Sequence, residues 1–240
     1  ISEHFEILTD RDPDVIAKRD GEYWILFNQT SGAKMRLSFA KDPKPYVKSK
    51  TPELVDLKIT NYCPFGCAYC YQSSTTQGKH SETNDLNSII YALSELEVFE
   101  VAIGGGEPTL HPKFKDLIYS CHYCSIIPNF TTRNLGWLID QDLVKTVKEA
   151  GSGIAFSIDK SHKMKDIYSK FQAAGLVDEP GPAYYSSERK KLIFQYVMGS
   201  GNSWNLQHIL ENAYELGCSV TLLGYKRVGF GDDYEPQDYS

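Results

Sequence analysis

Cys63-Pro64-Phe65-Gly66-Cys67-Ala68-Tyr69-Cys70 follows almost directly on the strand-like run Leu54–Thr60, and these two stretches together set the expectation for the whole chain. Three thiolates within eight residues can grip three corners of a cubic iron–sulfur cluster, leaving the fourth iron without a protein ligand. An open coordination position is what separates a catalytic metal site from a closed structural one. The alternative is a zinc knuckle or a set of buried thiols. Zinc sites close with four ligands in paired Cys or Cys/His groups, and His80, the nearest downstream histidine, has no partner at that spacing.

Outward from this segment, short apolar strands alternate with amphipathic helices. The strands read as Leu54–Thr60, Val98–Gly104, Ser125–Thr132, Gly153–Asp159, Lys191–Met198 and Ser219–Gly224. Between them, apolar residues recur three and four apart, the helical spacing. Leu86, Ile89, Ile90, Leu93 and Leu96 form one stripe, with Asp85 as its expected N-cap. Pro112 suits the first turn of the next helix, where a missing N–H costs nothing. Leu143, Val144 and Val147 form a stripe ended by Gly151, and Leu206, Ile209, Leu210, Ala213 and Leu216 one ended by Gly217. Six β-α units imply a parallel sheet with right-handed crossovers and helices outside it. This pattern does not separate a partial barrel from an open doubly wound sheet.

Residues 1–50 read differently from 51–240. Tyr23–Phe27 and Lys34–Phe39 are short β-type runs around the turn-rich Asn28-Gln29-Thr30-Ser31-Gly32, and Lys41-Asp42-Pro43-Lys44-Pro45 reads as a linker. The expectation is a β-hairpin appendage. It serves either as an extension covering the sheet edge or as a substrate-recognition element that pairs with a peptide strand.

The cysteine spacing, with Tyr69 just before the last cysteine, resembles the signature of the radical S-adenosylmethionine (radical SAM) enzymes. Gly104-Gly105-Gly106-Glu107-Pro108 lies one strand–helix–strand unit later, where that family carries its second motif; Thr132 and Asn134, and then Ser157-Ile158-Asp159, lie where its members contact the cofactor. The resemblance runs from about Leu54 to Tyr225. It implies a partial (β/α)6 TIM-like barrel with a small N-terminal β-hairpin appendage, and a [4Fe-4S] cluster on Cys63, Cys67 and Cys70. It also implies that S-adenosylmethionine chelates the free iron and is cleaved reductively to a 5′-deoxyadenosyl radical, which takes hydrogen from a substrate. Such chemistry needs an electron donor such as flavodoxin or ferredoxin.

In parallel β/α barrels the active site lies at the C-terminal ends of the strands, and the cysteine loop is on that side. Gly66 lets the loop turn tightly. Gly104, Gly105 and Gly106 let backbone groups approach a ligand, with Glu107 expected to accept from the methionine ammonium; the plainer reading is an ordinary strand-to-loop turn. Tyr69 either flanks the adenine or packs as a hydrophobe. Ser157 and Asp159 share a strand face toward the lumen, while Asp159 could instead cap the next helix. Gln195 and Tyr225 are weaker candidates. Asp56 and Lys58 share a face of the first barrel strand, either lining a wet lumen or pairing with each other. Cys121, Cys124 and Cys218 all precede strands, at the end opposite the site, which argues against an auxiliary metal centre and for simple burial. No catalytic side chain beyond the cofactor set is identified.

The substrate reading is a peptide or protein side chain, suggested by the N-terminal hairpin. The alternatives are a nucleoside or other small molecule, a glycyl-radical-enzyme activase, and a non-catalytic metal-binding partner protein. With 25 Lys and Arg against 31 Asp and Glu, the net charge of −6 argues against general nucleic-acid binding, and Glu188-Arg189-Lys190-Lys191 reads as a solvated charge run. No apolar run approaches the roughly 18–20 residues that span a bilayer. Six cysteines in 240 residues are not a secreted disulfide framework, and an oxygen-sensitive cluster needs a reducing compartment, so a cytoplasmic location is expected. The chain opens on Ile1 rather than Met, and Gly231–Pro236 reads as an unfinished loop, so further sequence is expected at both ends.

Overall fold

The computed structural model describes residues 14–159, 164–177 and 191–237. Of the charge run at 188–191, the first three residues lie outside the described residues, as do the first 13 residues of the N-terminal segment.

Six parallel strands form the main sheet: β4 (Leu54–Thr60), β5 (Glu100–Gly105), β6 (Ile127–Thr132), β7 (Ile154–Ile158), β8 (Leu192–Val197) and β9 (Ser219–Leu223). The helices between them are α1 (Thr83–Glu95), α2 (Phe114–Tyr123), α3 (Gln141–Glu149), α4 (Met164–Ala173) and α5 (Ser203–Leu216). Strand order in space equals strand order in sequence. A doubly wound sheet reverses its order at a switch point; without a reversal, right-handed crossovers place every helix on one face. The architecture is therefore a barrel wall, and it is partial, since β4 and β9 are its two edges.

The core fills the space between this wall and the helices. Leu57 and Ile59 of β4 pack outward on Leu86, Ile90 and Leu93 of α1, whereas Asp56 and Lys58 face inward and are exposed. Neither belongs to an ion pair among the described residues. An edge-to-face aromatic chain runs through the same layer, from Phe114 to Phe130 (5.1 Å), Trp137 (5.6 Å), Phe171 (6.1 Å), Phe156 (6.0 Å) and Phe194 (6.3 Å). The inner face is polar by contrast: Ser157, Gln195 and Thr221 lie side by side in register on β7, β8 and β9.

Helix ends follow their local chemistry with two corrections. Asp140 caps α3 by accepting from the amides of Asp142 and Leu143, and Gly217 closes α5 at φ 61°. Asp85, however, lies inside the first turn of α1, whose N-cap is Glu82. Pro112 precedes α2 instead of occupying its first turn; the chain first makes a short 3-10 turn, Pro108–Leu110, capped by Glu107.

The expected N-terminal hairpin is present as β2 (Tyr23–Asn28) and β3 (Lys34–Ser38), and a third antiparallel strand, β1 (Val15–Asp20), pairs with β2 to complete a three-stranded sheet. β1 escapes a hydropathy reading because two of its inward residues are charged, with Ile16 their only apolar companion on that face. Lys18 is buried with its ammonium on Thr51 Oγ1 and the carbonyls of Pro52 and Glu97, and buried Asp20 accepts from Tyr46, Ser49 and the amide of Lys50. This sheet does not extend the barrel edge. It packs against the N-terminal ends of the barrel strands, through Ile25 and Phe27 on Phe99 and Ile127, with the Phe27 and Phe99 rings stacked at 5.0 Å. Lys34 pairs with Glu100 (3.1 Å) and Arg36 with Glu53 (2.6 Å) around that contact. The sheet thus lies at the end of the barrel opposite the cysteine loop.

Candidate iron–sulfur and cofactor site

The cysteine loop leaves the C-terminal end of β4 through a braced root. Thr60 bridges to His80 and Tyr62 to Thr75, and the amide of Cys63 donates to the Thr75 carbonyl at 3.0 Å. Gly66, at φ +60°, takes the left-handed turn between the first two cysteines, and the amide of Cys70 returns to the Cys67 carbonyl (3.1 Å). All three thiols are half-buried. Burial pushes the Cys63 thiol up, and the negative potential of Glu107, Cys67 and Cys70 adds to it. The three sulfurs therefore share one electrostatic neighbourhood, whose logic a bound cation would invert by holding the thiols deprotonated. Among the described residues no three His, Cys, Asp or Glu side chains converge on a point that a single metal ion would occupy; a cubic cluster instead takes each thiolate on a separate iron.

The glycine segment is fitted to this loop. The amides of Gly106 and Glu107 donate to the carbonyls of Thr60 and Tyr62, both at 2.8 Å. A Cβ on Gly105 (φ +122°) would stand 2.2 Å from Thr60 O, and one on Gly106 2.2 Å from Tyr62 O. These two glycines bring β5 against the backbone that enters the cysteine motif. Gly104 differs: it lies beside Lys58 in register, and nothing lies within 4 Å of where its Cβ would be. That position leaves the lumen wall bare.

Glu107 is buried and tied to the end of β6. Its Oε1 accepts from the Thr109 amide, the Thr109 hydroxyl and the Thr132 hydroxyl (3.2, 2.7 and 2.7 Å), and its Oε2 from the amide of Arg133 (2.9 Å). Burial pushes its pKa up against the pull of those hydrogen bonds. Thr132 and Asn134 belong to this same network, with Asn134 donating to Thr109 Oγ1 at 3.0 Å.

The residue between them reaches the site. Arg133 Nη1 lies 2.8 Å from Cys67 Sγ and Nη2 2.6 Å from Asp159 Oδ2, with the guanidinium 6.0 Å from the Phe65 ring centre. Burial alone would lower its pKa, but Cys67 and Asp159 outweigh that and raise it. The period-two rule puts Arg133 on the opposite side from Thr132 and Asn134, the two residues that the sequence singled out. Asp159, just past β7, is turned to Arg133. Ser157 and Gln195 line the lumen below. Tyr69 sits in the loop with its hydroxyl pKa pushed up to about 12 by burial.

The segment after β9 lies against the cysteine loop. It crosses back over the cysteine motif: the Phe230 amide donates to Cys70 O (3.0 Å), and the Lys226 ammonium stands 4.5 Å over the Tyr71 ring. Tyr234 meets Tyr69 edge-on at 5.7 Å and donates to Gly199 O (3.3 Å). Tyr225 is spent inside this strap, on the carbonyls of Gly231 and Tyr234. Cys121 lies buried in the sheet–helix core with its thiol pushed up to about 12 by burial, and Cys124 and Cys218 pack against the same core.

The family model of the Radical SAM superfamily matches residues 57–224. The chain belongs to the radical SAM superfamily. Membership implies a [4Fe-4S] cluster and S-adenosylmethionine as cofactors. The residues present fit that pair: three half-buried thiols on one loop, a cationic donor at one sulfur, and a lumen wall left bare at Gly104. Among curated proteins the chain is 26% identical over 117 residues to the GTP 3′,8-cyclase of Chlorobaculum tepidum, covering 48% of this chain and 36% of that one. It is also 26% identical over 145 residues to the PqqA peptide cyclase of Bradyrhizobium diazoefficiens, covering 59% and 34%. The chain thus spans about a third of the length of these relatives. Among solved structures, Streptococcus suis SuiB bound to S-adenosylmethionine matches with a TM-score of 0.68 at 13% identity, over 94% of this chain and 65% of that one, a similarity of fold. No helix among the described residues is long and apolar enough to cross a membrane.

Proposed function

We propose that this radical SAM enzyme acts on a peptide or protein side chain. The observation that carries the reading is the extent of the match to SuiB, which covers 94% of the chain and so reaches beyond the barrel into the N-terminal sheet. SuiB has also been solved bound to its precursor peptide SuiA, and a PqqA peptide cyclase stands among the sequence relatives. Cys63, Cys67 and Cys70 would hold the cluster. Gly104, Gly105, Gly106 and Glu107, with Tyr69, Thr132, Asn134, Ser157 and Asp159, would surround S-adenosylmethionine. When bound, the two cofactors supply a 5′-deoxyadenosyl radical that removes a hydrogen atom.

The chain's own residues do the rest. Gly104 leaves room at the lumen wall, and Glu107 Oε2, which carries one protein hydrogen bond, retains capacity for an ammonium. Asp56 and Lys58 offer both signs of charge to a substrate in the open lumen. The electron would come from a donor protein of the flavodoxin or ferredoxin kind. A second reading, a nucleotide substrate, is favoured by the GTP 3′,8-cyclase relatives.

The test presents the loaded enzyme with deuterated peptides in one arm and deuterated GTP in the other. Deuterium carried into 5′-deoxyadenosine from a peptide supports the first reading; transfer from GTP alone would replace it.

A further inference from the structure

We propose that Arg133 sets the reduction potential of the cluster by donating a hydrogen bond to the sulfur of Cys67. The inference rests on the assignment of the cluster to Cys63, Cys67 and Cys70.

The guanidinium is held, not merely nearby. Asp159 fixes one arm at 2.6 Å, with both side chains less than a fifth exposed, and the backbone amide of Arg133 donates to buried Glu107. The other arm is left directed at Cys67 Sγ, 2.8 Å away. A planar guanidinium can serve a carboxylate and a sulfur at once, which an ammonium on a flexible stem cannot do in the same geometry. A thiolate bound to iron keeps lone pairs, so the contact survives cluster loading.

Reduction of the cluster is a one-electron step. A low-potential one-electron donor loses an electron, the cluster gains it, and no bond to Arg133 forms or breaks. The added negative charge spreads onto the thiolate ligands, so a cationic N–H donor on one of them favours the reduced form. Hydrogen bonds to cluster sulfurs and local charge are established levers on such potentials. Asp159 neutralises the arginine at a distance, which leaves the short-range bond to sulfur as the effective part. In this arrangement Arg133 is a tuning residue, and Asp159 positions it.

The experiment is a mediated redox titration of the anaerobically reconstituted chain, followed by the electron paramagnetic resonance signal of the reduced cluster, with iron counted in each sample. Arg133→Gln is expected to load the same iron and take up the electron at least tenfold less favourably, a shift of about 59 mV to lower potential for a one-electron couple. Arg133→Lys, which keeps the charge but not the fork, is expected to fall between. Should the Gln variant fail to fold or load, the Lys variant decides, since a merely structural arginine would leave its potential at the wild-type value. Equal iron and wild-type potentials in the variants that load overturn the inference while the cluster assignment stands. A wild-type chain that takes up no cluster overturns the assignment itself.

Discussion

The amide of Glu107 donates to the carbonyl of Tyr62 across 2.8 Å, joining the end of the glycine segment to the residue that precedes the first cysteine of the motif. The two motifs, far apart in sequence, are thereby one piece of backbone. The glycine segment braces the cysteine loop.

The three glycines should therefore behave differently. Gly106→Ala places a Cβ 2.2 Å from a backbone carbonyl, which cannot swing away, so the loop root must shift. A loss of about 1–3 kcal/mol in stability is expected from the overpacking, with reduced iron uptake after reconstitution. Gly104→Ala meets nothing within 4 Å; it should fold and take up iron like the wild type, yet bind S-adenosylmethionine more weakly. Thermal unfolding, iron content and calorimetric titration read the three quantities.

Glu107 gives a pH dependence with a definite sign. Burial raises its folded-state pKa, so between the ordinary carboxylate value, about 4.3, and the raised one the folded state binds more protons than the unfolded. Stability from this group is greatest at low pH and falls as pH rises through the folded pKa. Glu107→Gln removes the titration, so the stability of wild type minus variant should decline with rising pH over that window. At neutral pH the variant still loses, because an amide NH2 at the Oε2 position faces the Arg133 amide as a second donor; an unmade buried hydrogen bond costs about 1–3 kcal/mol. Chemical denaturation at a series of pH values checks both the slope and the offset. A difference that rises with pH would contradict the sign.

Phe27 tests the N-terminal sheet apart from the site. Its ring is fully buried on Phe99 at the far end of the barrel. Phe27→Ala should cost about 3–5 kcal/mol, read as a lowered unfolding midpoint. Cluster content of the folded protein should be unchanged, since the cysteine loop touches none of these residues.

What the sequence made legible follows from which interactions are local. The barrel strands announce themselves by local apolar runs or alternation, so Leu54–Thr60 is read at its observed ends and the others within one or two residues. β1 is illegible because its buried positions, Lys18 and Asp20, are charged, and their burial depends on partners near residue 50 and at Glu97. Arg133 is illegible for the same reason: its partners, Cys67 and Asp159, lie 66 and 26 residues away. The strap after β9 depends on Gly229 and on a carbonyl of the cysteine loop, a pairing no pattern in residues 225–237 reveals. Composition does not carry strand order, so the choice of barrel over doubly wound sheet came from the motif resemblance, and the observed order bears it out.

The central claim is that Cys63, Cys67 and Cys70 hold a cluster that cleaves S-adenosylmethionine. It is tested most directly by anaerobic reconstitution with iron and sulfide, followed by dithionite and S-adenosylmethionine, with iron and 5′-deoxyadenosine measured together. The account predicts about four irons per chain and 5′-deoxyadenosine in the wild type, with both lost in Cys67→Ala. Full iron and undiminished 5′-deoxyadenosine in that variant would contradict it.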